Sequence, residues 1–364
     1  MGHPPRPVAM PVVWTDQHRL HEPAGEVWAG VRIPGTEVPE RAEVIREALQ
    51  SAGALFIELV DHGLDPVLAV HAPTLVEYLE TAYDGWLEAG LHLDPGQDRV
   101  VPYVFPLPQL MGGRPLRTPV AASALAGRFA MDTTTLIGPG TYRAARAAAD
   151  AALTAADSVL GGEPAAYAAC RPPGHHAGVD FFGGSCYLNN AAIAAQSLCD
   201  HATSSVAIID LDAHHGNGTQ QVFYERDDVF YGSLHVDPGA GWFPHFVGYA
   251  DEEGDAAGKG HNRNVPLAPG TTSEAWLEAL AAVLEEAARH HPEAVVVSLG
   301  VDAGVGDPES PLNVDVEGFS RAGSMVAELG VPTVFVQEGG YDLASLGQLV
   351  TSVLSGFETG REGR

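Results

Sequence analysis

Short apolar runs alternate with amphipathic segments through the second half of the sequence. Each run is apolar on both faces, and most are rich in β-branched residues, which predicts strands buried in a parallel sheet. The segments between them carry apolar residues every three to four positions, as helices packed on a sheet do. The predicted strands are 166–170, 206–210, 229–235, 294–299 and 331–337, and the predicted helices are 190–199, 273–289, 316–329 and 343–357.

The first half of the chain is less regular. Helices are predicted over 40–52, 66–87 and 141–159, with a short strand over 54–59. Between residues 95 and 140 the periodicity fails, and prolines recur around a Gly112-Gly113 pair. This stretch predicts one long ordered loop, and loops of that length within a domain are usually functional or interfacial.

The alternation of strands and helices predicts the overall architecture. It implies right-handed crossovers and one open parallel sheet covered by helices on both faces, an α/β fold. No internal repeat or low-complexity linker divides the chain. We therefore expect residues 1–364 to form a single domain.

Polar side chains follow the predicted strands at five places. Open parallel sheets carry their sites at the carboxyl ends of strands, so we expect the five clusters to converge on one site. The clusters are RPPGHHA at 171–177, DLDAHHGNG at 210–218, SLHVDP at 233–238, SLGVD at 298–302 and QEGGY at 337–341.

The second cluster is the most informative. Asp212 and His214 are two residues apart, so their side chains project to the same side of extended chain. Charge at the end of a buried strand is costly unless it is paired or binds a metal, which leaves a loop of paired polar groups or a metal site. With Asp302 as a third ligand, the set suits zinc, iron(II), cobalt or manganese, and spacing does not choose among them.

Two other clusters offer groups for hydrolysis. A bound metal would lower the pKa of a water molecule towards ~7 and polarise a carbonyl group. His175 and His176 offer a base and a second donor, and Tyr341 offers a hydroxyl for a developing oxyanion. Structural roles are also compatible with the sequence, since adjacent histidines are often buried partners and a tyrosine after Gly-Gly is often a turn residue.

Composition restricts the partners and the compartment. The chain has 19 Lys and Arg against 47 Asp and Glu, a formal net charge of −28, which disfavours nucleic acid and anionic membranes and attracts cations. No apolar run approaches the roughly 20 residues of a membrane span. The three cysteines lack Cys-x-x-Cys spacing, which predicts a reduced, cytoplasmic protein.

Together the motifs resemble those of the histone deacetylase superfamily. They are RPPGHHA at 171–177, GSCYLNN at 184–190, DLDAHHGNGTQ at 210–220 and EGGY at 338–341. FYER at 223–226 and FPHF at 243–246 make the sequence most similar to the bacterial acetylpolyamine amidohydrolases. The resemblance covers nearly the whole chain and implies an arginase–deacetylase fold with a sheet of about eight strands.

The resemblance implies metal sites. The three ligand candidates correspond to those of a catalytic zinc, for which iron(II) or cobalt(II) can substitute. Asp210, Ser233 and the Leu234 carbonyl correspond to part of a structural potassium site. The two-manganese pattern of arginases requires aspartates where Gly216 and Gly300 stand. The sequence therefore predicts one catalytic metal.

The resemblance also implies catalytic roles. His176 corresponds to the general base and acid, with Asn217 as its orienting partner. His175 corresponds to a neighbouring electrostatic histidine oriented by Asp210. Tyr341 corresponds to the tyrosine that polarises the scissile carbonyl.

Two departures from the family bear on substrate. Gly184 corresponds to a glycine beside the acyl pocket, and Phe243 to one of two aromatic walls, but Ser185 stands where the other aromatic is expected. This loss predicts a wider tunnel. The stretch 95–140 corresponds to an insert that narrows the entrance and builds a homodimer, but 119–130 lacks the acid often found there to hold a distal ammonium. Glu309 is a candidate for that role, or a solvated rim charge.

Four functions remain compatible with the sequence. The first is removal of an acetyl or other acyl group from a small cationic or neutral N-acylated amine, as in acetylpolyamine hydrolysis. The second is protein lysine deacetylation, and the third is deacylation of a biosynthetic intermediate. The fourth is non-catalytic binding, against which the complete set of His175, His176 and Tyr341 argues.

Overall fold

One parallel sheet forms the centre of the structure, a computed structural model that describes residues 8–201 and 205–363. Its eight strands within those residues lie in the order β4-β1-β5-β10-β9-β6-β7-β8 and all pair in parallel, while β2 and β3 form a separate hairpin. The strands are β1 (Pro11–Trp14), β2 (Glu26–Trp28), β3 (Val31–Ile33), β4 (Leu55–Glu58), β5 (Ala165–Ala168), β6 (Val206–Asp210), β7 (Val229–Val236), β8 (Asn262–Leu267), β9 (Ala294–Leu299) and β10 (Thr333–Gln337). This architecture confirms the predicted open α/β sheet.

Helices cover both faces of the sheet. Successive strand residues point to opposite faces, so Ile208 packs into one apolar core and Ile209 into the other. The helices are α1 (Glu40–Ser51), α2 (Asp65–Leu68), α3 (Pro73–Glu88), α4 (Pro108–Met111), α5 (Ala122–Phe129), α6 (Thr141–Leu160), α7 (Asn190–His201), α8 (Asn217–Phe223), α9 (Ser273–Arg289), α10 (Val316–Ala327) and α11 (Leu346–Glu362). Helices α3, α6 and α7 cover the first core, and α1, α9, α10 and α11 cover the second. None of the described helices is long and apolar enough to cross a bilayer.

The structure differs from the sequence prediction in several local elements. The predicted helix 66–87 is split into α2 and α3, because Pro73 holds Ala72 in an extended conformation and begins a new helix. The segment 95–140 contains the short helices α4 and α5 rather than loop alone. Strands β1 and β8 and the hairpin were not predicted.

The strand order brings the chemistry together. The five strands followed by polar clusters are neighbours in the sheet, in the order β5-β10-β9-β6-β7. Because they run parallel, their carboxyl ends meet at a single edge. The structure therefore brings the five polar clusters together at the carboxyl edge of the sheet.

A buried histidine fastens the loop that follows β5. His71 lies between α2 and α3, and its Nε2 accepts a hydrogen bond from the Asn189 amide at 2.8 Å. Its Nδ1 is therefore the protonated nitrogen and donates to the Gly178 carbonyl at 2.8 Å. One neutral imidazole thus holds this loop at Gly178, two residues beyond His176, and at Asn189, where the loop ends.

Acidification is expected to reduce the stability that the hydrogen bonds of neutral His71 contribute. Burial lowers the pKa of His71 from 6.5 to about 4, so the unfolded chain binds more protons than the folded one between those values. The stability that the neutral ring contributes at pH 7 is lost as the pH falls through this window, by up to about 3 kcal/mol. Urea unfolding at pH 7 and pH 4.5 should show a smaller pH-dependent loss in His71→Gln than in the wild type. Equal losses in the two proteins would show that His71 does not contribute.

Candidate active site

Three side chains meet where β6 and β9 end side by side. Asp212 and His214 follow β6, and Asp302 follows β9. The Nδ1 atom of His214 lies 3.2 Å from Asp212 Oδ1 and 2.9 Å from Asp302 Oδ2. One ligand atom from each residue lies within 4.8 Å of the other two. The structure thus brings together the three predicted ligands.

The geometry of this trio suits a cation. Asp212 Oδ2 accepts from the Gly339 amide at 2.7 Å, and Asp302 Oδ1 accepts from the Ala213 amide at 2.7 Å. Each carboxylate therefore turns its other oxygen towards His214. Burial and the nearby charge of Asp212 raise the pKa of Asp302 to about 8. A divalent cation would relieve this repulsion, and two carboxylates with one imidazole are donors that such cations accept.

The two histidines after β5 are each oriented by one partner. His175 Nδ1 lies 3.1 Å from Asp210 Oδ2, and His176 Nδ1 lies 2.7 Å from Asn217 Oδ1 at the start of α8. Since an amide oxygen only accepts, Nδ1 of His176 carries the proton and its Nε2 is left as the basic atom. The ring centroids of His175 and His176 are 4.1 Å apart.

Their surroundings separate the two histidines electrostatically. Burial disfavours the charged form of His175, but the carboxylates of Asp212 and Asp210 outweigh it and raise its pKa to about 10. Burial, together with the positive charges of His175 and His214, lowers the pKa of His176 well below its ordinary value. In many active sites, two neighbouring titratable groups with pKa values pushed apart take different roles in acid–base catalysis, and these two histidines form such a pair.

The turn that presents Tyr341 is held by a buried arginine. Arg41 of α1 donates from Nε to the Gly340 carbonyl and from Nη2 to the Glu338 carbonyl, both at 2.6 Å. The guanidinium carbon of Arg41 lies 4.6 Å from the centroid of the Tyr341 ring. Desolvation is the main cause that raises the pKa of Tyr341 well above 10, so its hydroxyl remains a donor.

A single buried acid links this arginine to the histidine loop. Glu37 accepts from Arg41 Nη1 at 3.1 Å and pairs with Arg171 through both carboxylate oxygens at 2.7 and 2.9 Å. Glu37 is only 2% exposed. Sequence reasoning missed this network, because its only local signal is the four-residue spacing of Glu37 and Arg41, which is common on exposed helices.

Two glycines leave no space for a second metal site of the arginase kind. A Cβ atom on Gly300 would overlap the carboxylate of Asp212. A Cβ on Gly216 would overlap Asp210 Oδ2 and lie 2.6 Å from the Tyr231 hydroxyl. The prediction of one catalytic metal agrees with this crowding.

Asp210 lies at the junction with β7. It pairs in register with Ser233, and Leu234 is the next residue of that strand. Its Oδ2 also accepts from the Tyr231 hydroxyl at 2.9 Å. Ser233 Oγ lies 2.8 Å from His235 Nδ1. Asp210, Ser233 and Leu234, the three residues predicted to hold potassium, are therefore adjacent near the carboxyl ends of β6 and β7.

A cavity of about 1500 Å³ is lined by His214 of the trio and by His176. Phe243 forms one wall, with its ring perpendicular to that of His176 and 4.9 Å from it. Gly184, at φ +56°, lies against the same histidine, and a Cβ there would overlap the imidazole. Ser185 and Tyr341 also line the cavity. The residues predicted to contact substrate are thus brought together with the catalytic candidates.

One side of the cavity is acidic. Glu309 lines it and accepts from Thr36 Oγ1 at 2.8 Å. Glu26 on β2 lies nearby, and burial together with the charges of Glu309 and Asp132 raises its pKa to about 7. Sequence reasoning named Glu309 but missed Glu26, which comes from a hairpin with no signature of its own.

The other side of the cavity extends over α8. Its wall combines apolar and aromatic side chains with glutamines and charged side chains. The residues include Phe181, Gln221, Val222, Tyr224, Phe246 and Val247, together with the charged Glu225, Arg226 and Glu252. The cavity therefore extends beyond the surroundings of His176 and Tyr341.

The sequence matches the histone deacetylase domain family over residues 35–357. The acetylpolyamine amidohydrolase of Mycoplana ramosa is 42% identical over 350 residues, which cover 95% of this chain and 99% of that protein. Acetylpolyamine amidohydrolase 1 of Pseudomonas aeruginosa is 41% identical over 348 residues, covering 95% and 98%.

A solved structure shows the same architecture. The crystal structure of the acetylpolyamine aminohydrolase from Burkholderia pseudomallei superposes with a TM-score of 0.90 at 39% identity. The match covers 96% of this chain and 99% of the other. The arginase–deacetylase fold implied by the sequence is thereby confirmed.

Proposed function

The chain belongs to the histone deacetylase family of amidohydrolases, and we propose that it removes the acetyl group from a small N-acetylated amine of the acetylpolyamine class. The observation that carries this proposal is the meeting of His176, Tyr341 and His214, one of the three clustered candidate ligands, at one cavity. Relatives named for acetylpolyamine hydrolysis, with matches across 95% of this chain, support the substrate class.

We propose that Asp212, His214 and Asp302 hold zinc, with iron(II) or cobalt(II) as possible substitutes. When bound, the metal acidifies a water molecule and polarises the amide carbonyl. We also assign a structural potassium ion to the edge where Asp210 and Ser233 lie in register, with the carbonyl of Leu234.

The protein groups divide the remaining work. His176 takes a proton from the attacking water at Nε2 and later delivers it to the leaving amine, while Asn217 fixes its orientation. Charged His175, held by Asp210, stabilises the negative charge that develops nearby. The Tyr341 hydroxyl donates to the carbonyl oxygen of the scissile amide as its charge grows.

Glu309 is proposed to hold the distal ammonium of a cationic substrate. Glu309→Gln is expected to raise KM for N-acetylputrescine roughly fivefold, or about 1 kcal/mol, because the site is only half-buried. The KM for a neutral acetamide should not change. Glu317→Gln, an exposed acid of α10, provides the matched control. An equal KM rise for charged and neutral amides would contradict this role.

Ser185 is proposed to set the width of the tunnel. Its φ of +62° is already adopted by a residue with a Cβ, so a larger side chain adds bulk without a new backbone conformation. Ser185→Tyr is expected to lower kcat/KM for a bulky acetamide by roughly tenfold or more relative to N-acetylputrescine. Ser185→Ala, which adds no ring, should keep the wild-type preference. If the tyrosine variant kept it too, Ser185 would not control width.

A second candidate is deacylation of a larger biosynthetic intermediate. The cavity of about 1500 Å³ exceeds the upper end of the usual range for small-ligand pockets, roughly 1000 Å³. A comparison of kcat/KM for the zinc-loaded enzyme on N-acetylputrescine, an N-acetyl-lysine peptide and a bulky neutral acetamide tests the alternatives. Preference for acetylputrescine supports the proposed function. Preference for the peptide favours protein deacetylation, and preference for the bulky amide favours the intermediate.

We further propose that the chain acts as one catalytic domain in a homodimer, with 95–140 at the entrance and interface. The segment contributes Phe105 and the residues 131–134 to the cavity wall. It also exposes apolar side chains, including Tyr103 at 73%, Leu110 at 65% and Val120 at 99%. Exposed apolar residues on one segment are typical of interaction sites.

A further inference from the structure

A second cluster of potential metal ligands adjoins the candidate active site. His175 and Cys186 lie in the loop between β5 and α7, and Glu338 directly follows β10. One ligand atom from each lies within 4.8 Å of the other two. They are 3%, 0% and 0% exposed, respectively. The cluster shares no residue with the trio of Asp212, His214 and Asp302.

Glu338 has an unused oxygen in this cluster. Its Oε2 accepts from the amides of Gly174 and His175 at 2.6 and 3.1 Å. Its Oε1 is buried and has no hydrogen-bond partner among the described residues. An unpaired carboxyl oxygen in the interior costs free energy, so a binding partner for this atom is expected.

The other two members also present atoms that could bind an ion. The Nδ1 atom of His175 is engaged by Asp210, and Nε2, which lies 3.8 Å from Asp212 Oδ1, can bind an ion once it gives up its proton. The thiol of Cys186 makes a weak hydrogen bond to the Gly184 carbonyl at 3.3 Å. The cluster therefore offers one sulfur, one imidazole nitrogen and one carboxyl oxygen.

We propose that His175, Cys186 and Glu338 form a second cation site, selective for a thiophilic divalent ion such as zinc or cadmium. Thiolate, imidazole and carboxylate are the three protein ligand types of zinc, and sulfur distinguishes this set from the all-oxygen-and-nitrogen trio. Binding forms a metal–sulfur bond and a metal–nitrogen bond and releases the Cys186 thiol proton and the His175 Nε2 proton to solvent, so no oxidant is required.

Occupation of this site inhibits the enzyme. An ion bound to Nε2 of His175 prevents this residue from stabilising the negative charge that develops next to it, the role proposed for it above. Low metal concentrations therefore fill the trio and permit turnover, while higher concentrations fill the second site and reduce it. The surrounding carboxylates, Asp210 and Asp212 among them, favour a second cation.

Cadmium titration of the reduced full-length protein tests the proposal. Equilibrium dialysis with elemental analysis counts bound ions, and ultraviolet absorption detects charge transfer from thiolate to cadmium. The wild type is expected to bind two equivalents, with the absorption band growing with the second. Cys186→Ala should bind one equivalent and show no band. Glu338→Gln, whose amide oxygen can still accept from the two backbone amides, should weaken the second equivalent at least tenfold.

Cys199→Ala is the matched control, because Cys199 is a free cysteine outside the cluster. It should retain both equivalents and the band. A single equivalent in the wild type, or a band that is lost with Cys199 instead of Cys186, would overturn the proposal. The optical readout does not depend on turnover, so two equivalents in a protein inactive on every amide would contradict the proposed function alone.

Discussion

Replacing His176 with alanine is expected to lower kcat by roughly 10²- to 10⁴-fold while KM changes little. The imidazole is neutral because burial and the positive charge of His175 disfavour its protonated form, and its Nε2 is free because Asn217 holds Nδ1. His175 cannot replace it as a base, since the carboxylates of Asp210 and Asp212 keep it protonated. The measurement is steady-state kinetics on an acetylated amine, with the metal content of both proteins matched.

Asn217→Leu is a milder variant for comparison with His176→Ala. It removes the orienting bond to His176 Nδ1, at 2.7 Å, and two longer contacts of Asn217 Nδ2, both at 3.4 Å, but leaves the imidazole ring in place. A loss of kcat smaller than that of His176→Ala is expected, with the same bound metal. Full turnover in His176→Ala would remove this residue from the mechanism.

Replacing Asp302 with alanine is expected to abolish metal-dependent activity. Its Oδ2 completes the trio with Asp212 and His214, and two ligands cannot hold the ion as three do. Metal affinity should fall by more than roughly 100-fold. A loss of up to about 100-fold is typical when a residue that only hydrogen-bonds to a metal ligand is removed, and Asp302 is a ligand itself. Elemental analysis after dialysis and kcat/KM with added zinc measure the two effects.

The metal-free proteins supply the control for the Asp302 prediction. Burial and the charge of Asp212 raise the pKa of Asp302 to about 8, because the two carboxylates repel each other when no cation lies between them. Metal-free Asp302→Asn should therefore melt no lower than metal-free wild type, whereas added zinc should raise Tm of the wild type alone. Unchanged metal binding in Asp302→Ala would contradict its role as a ligand.

The central strands could be predicted from the sequence because burial on both faces leaves a continuous apolar run. Of the two unpredicted sheet strands, β1 (PVVW) is apolar but begins with a proline, which is equally compatible with irregular structure, whereas β8 (NRNVPL) is polar and contains Pro266. Since β8 pairs only with β7, it lies at a lateral edge of the sheet, where a proline is tolerated, and its buried Asn262 and Asn264 side chains donate to Gln220 Oε1.

The candidate site could be predicted where its residues share a local motif. Asp212 and His214 are two positions apart, and their sequence context includes Asp210 and Asn217. Glu26, Thr36 and Arg41 reach the same region from the first 41 residues, through contacts between segments far apart in the chain. No short pattern marks such residues, so only the folded structure reveals them.

The crowding around Gly216 and Gly300 has an evolutionary consequence. An aspartate at either position would displace a carboxylate that already orients a histidine or borders the proposed metal. The first of the two substitutions, Gly216→Asp or Gly300→Asp, would therefore disrupt the one-metal site. The ligands for a second metal would be complete only after the other substitution. Descent by single steps is blocked in both places, so this branch of the fold is expected to diversify through its cavity walls, for example at Ser185 and Glu309.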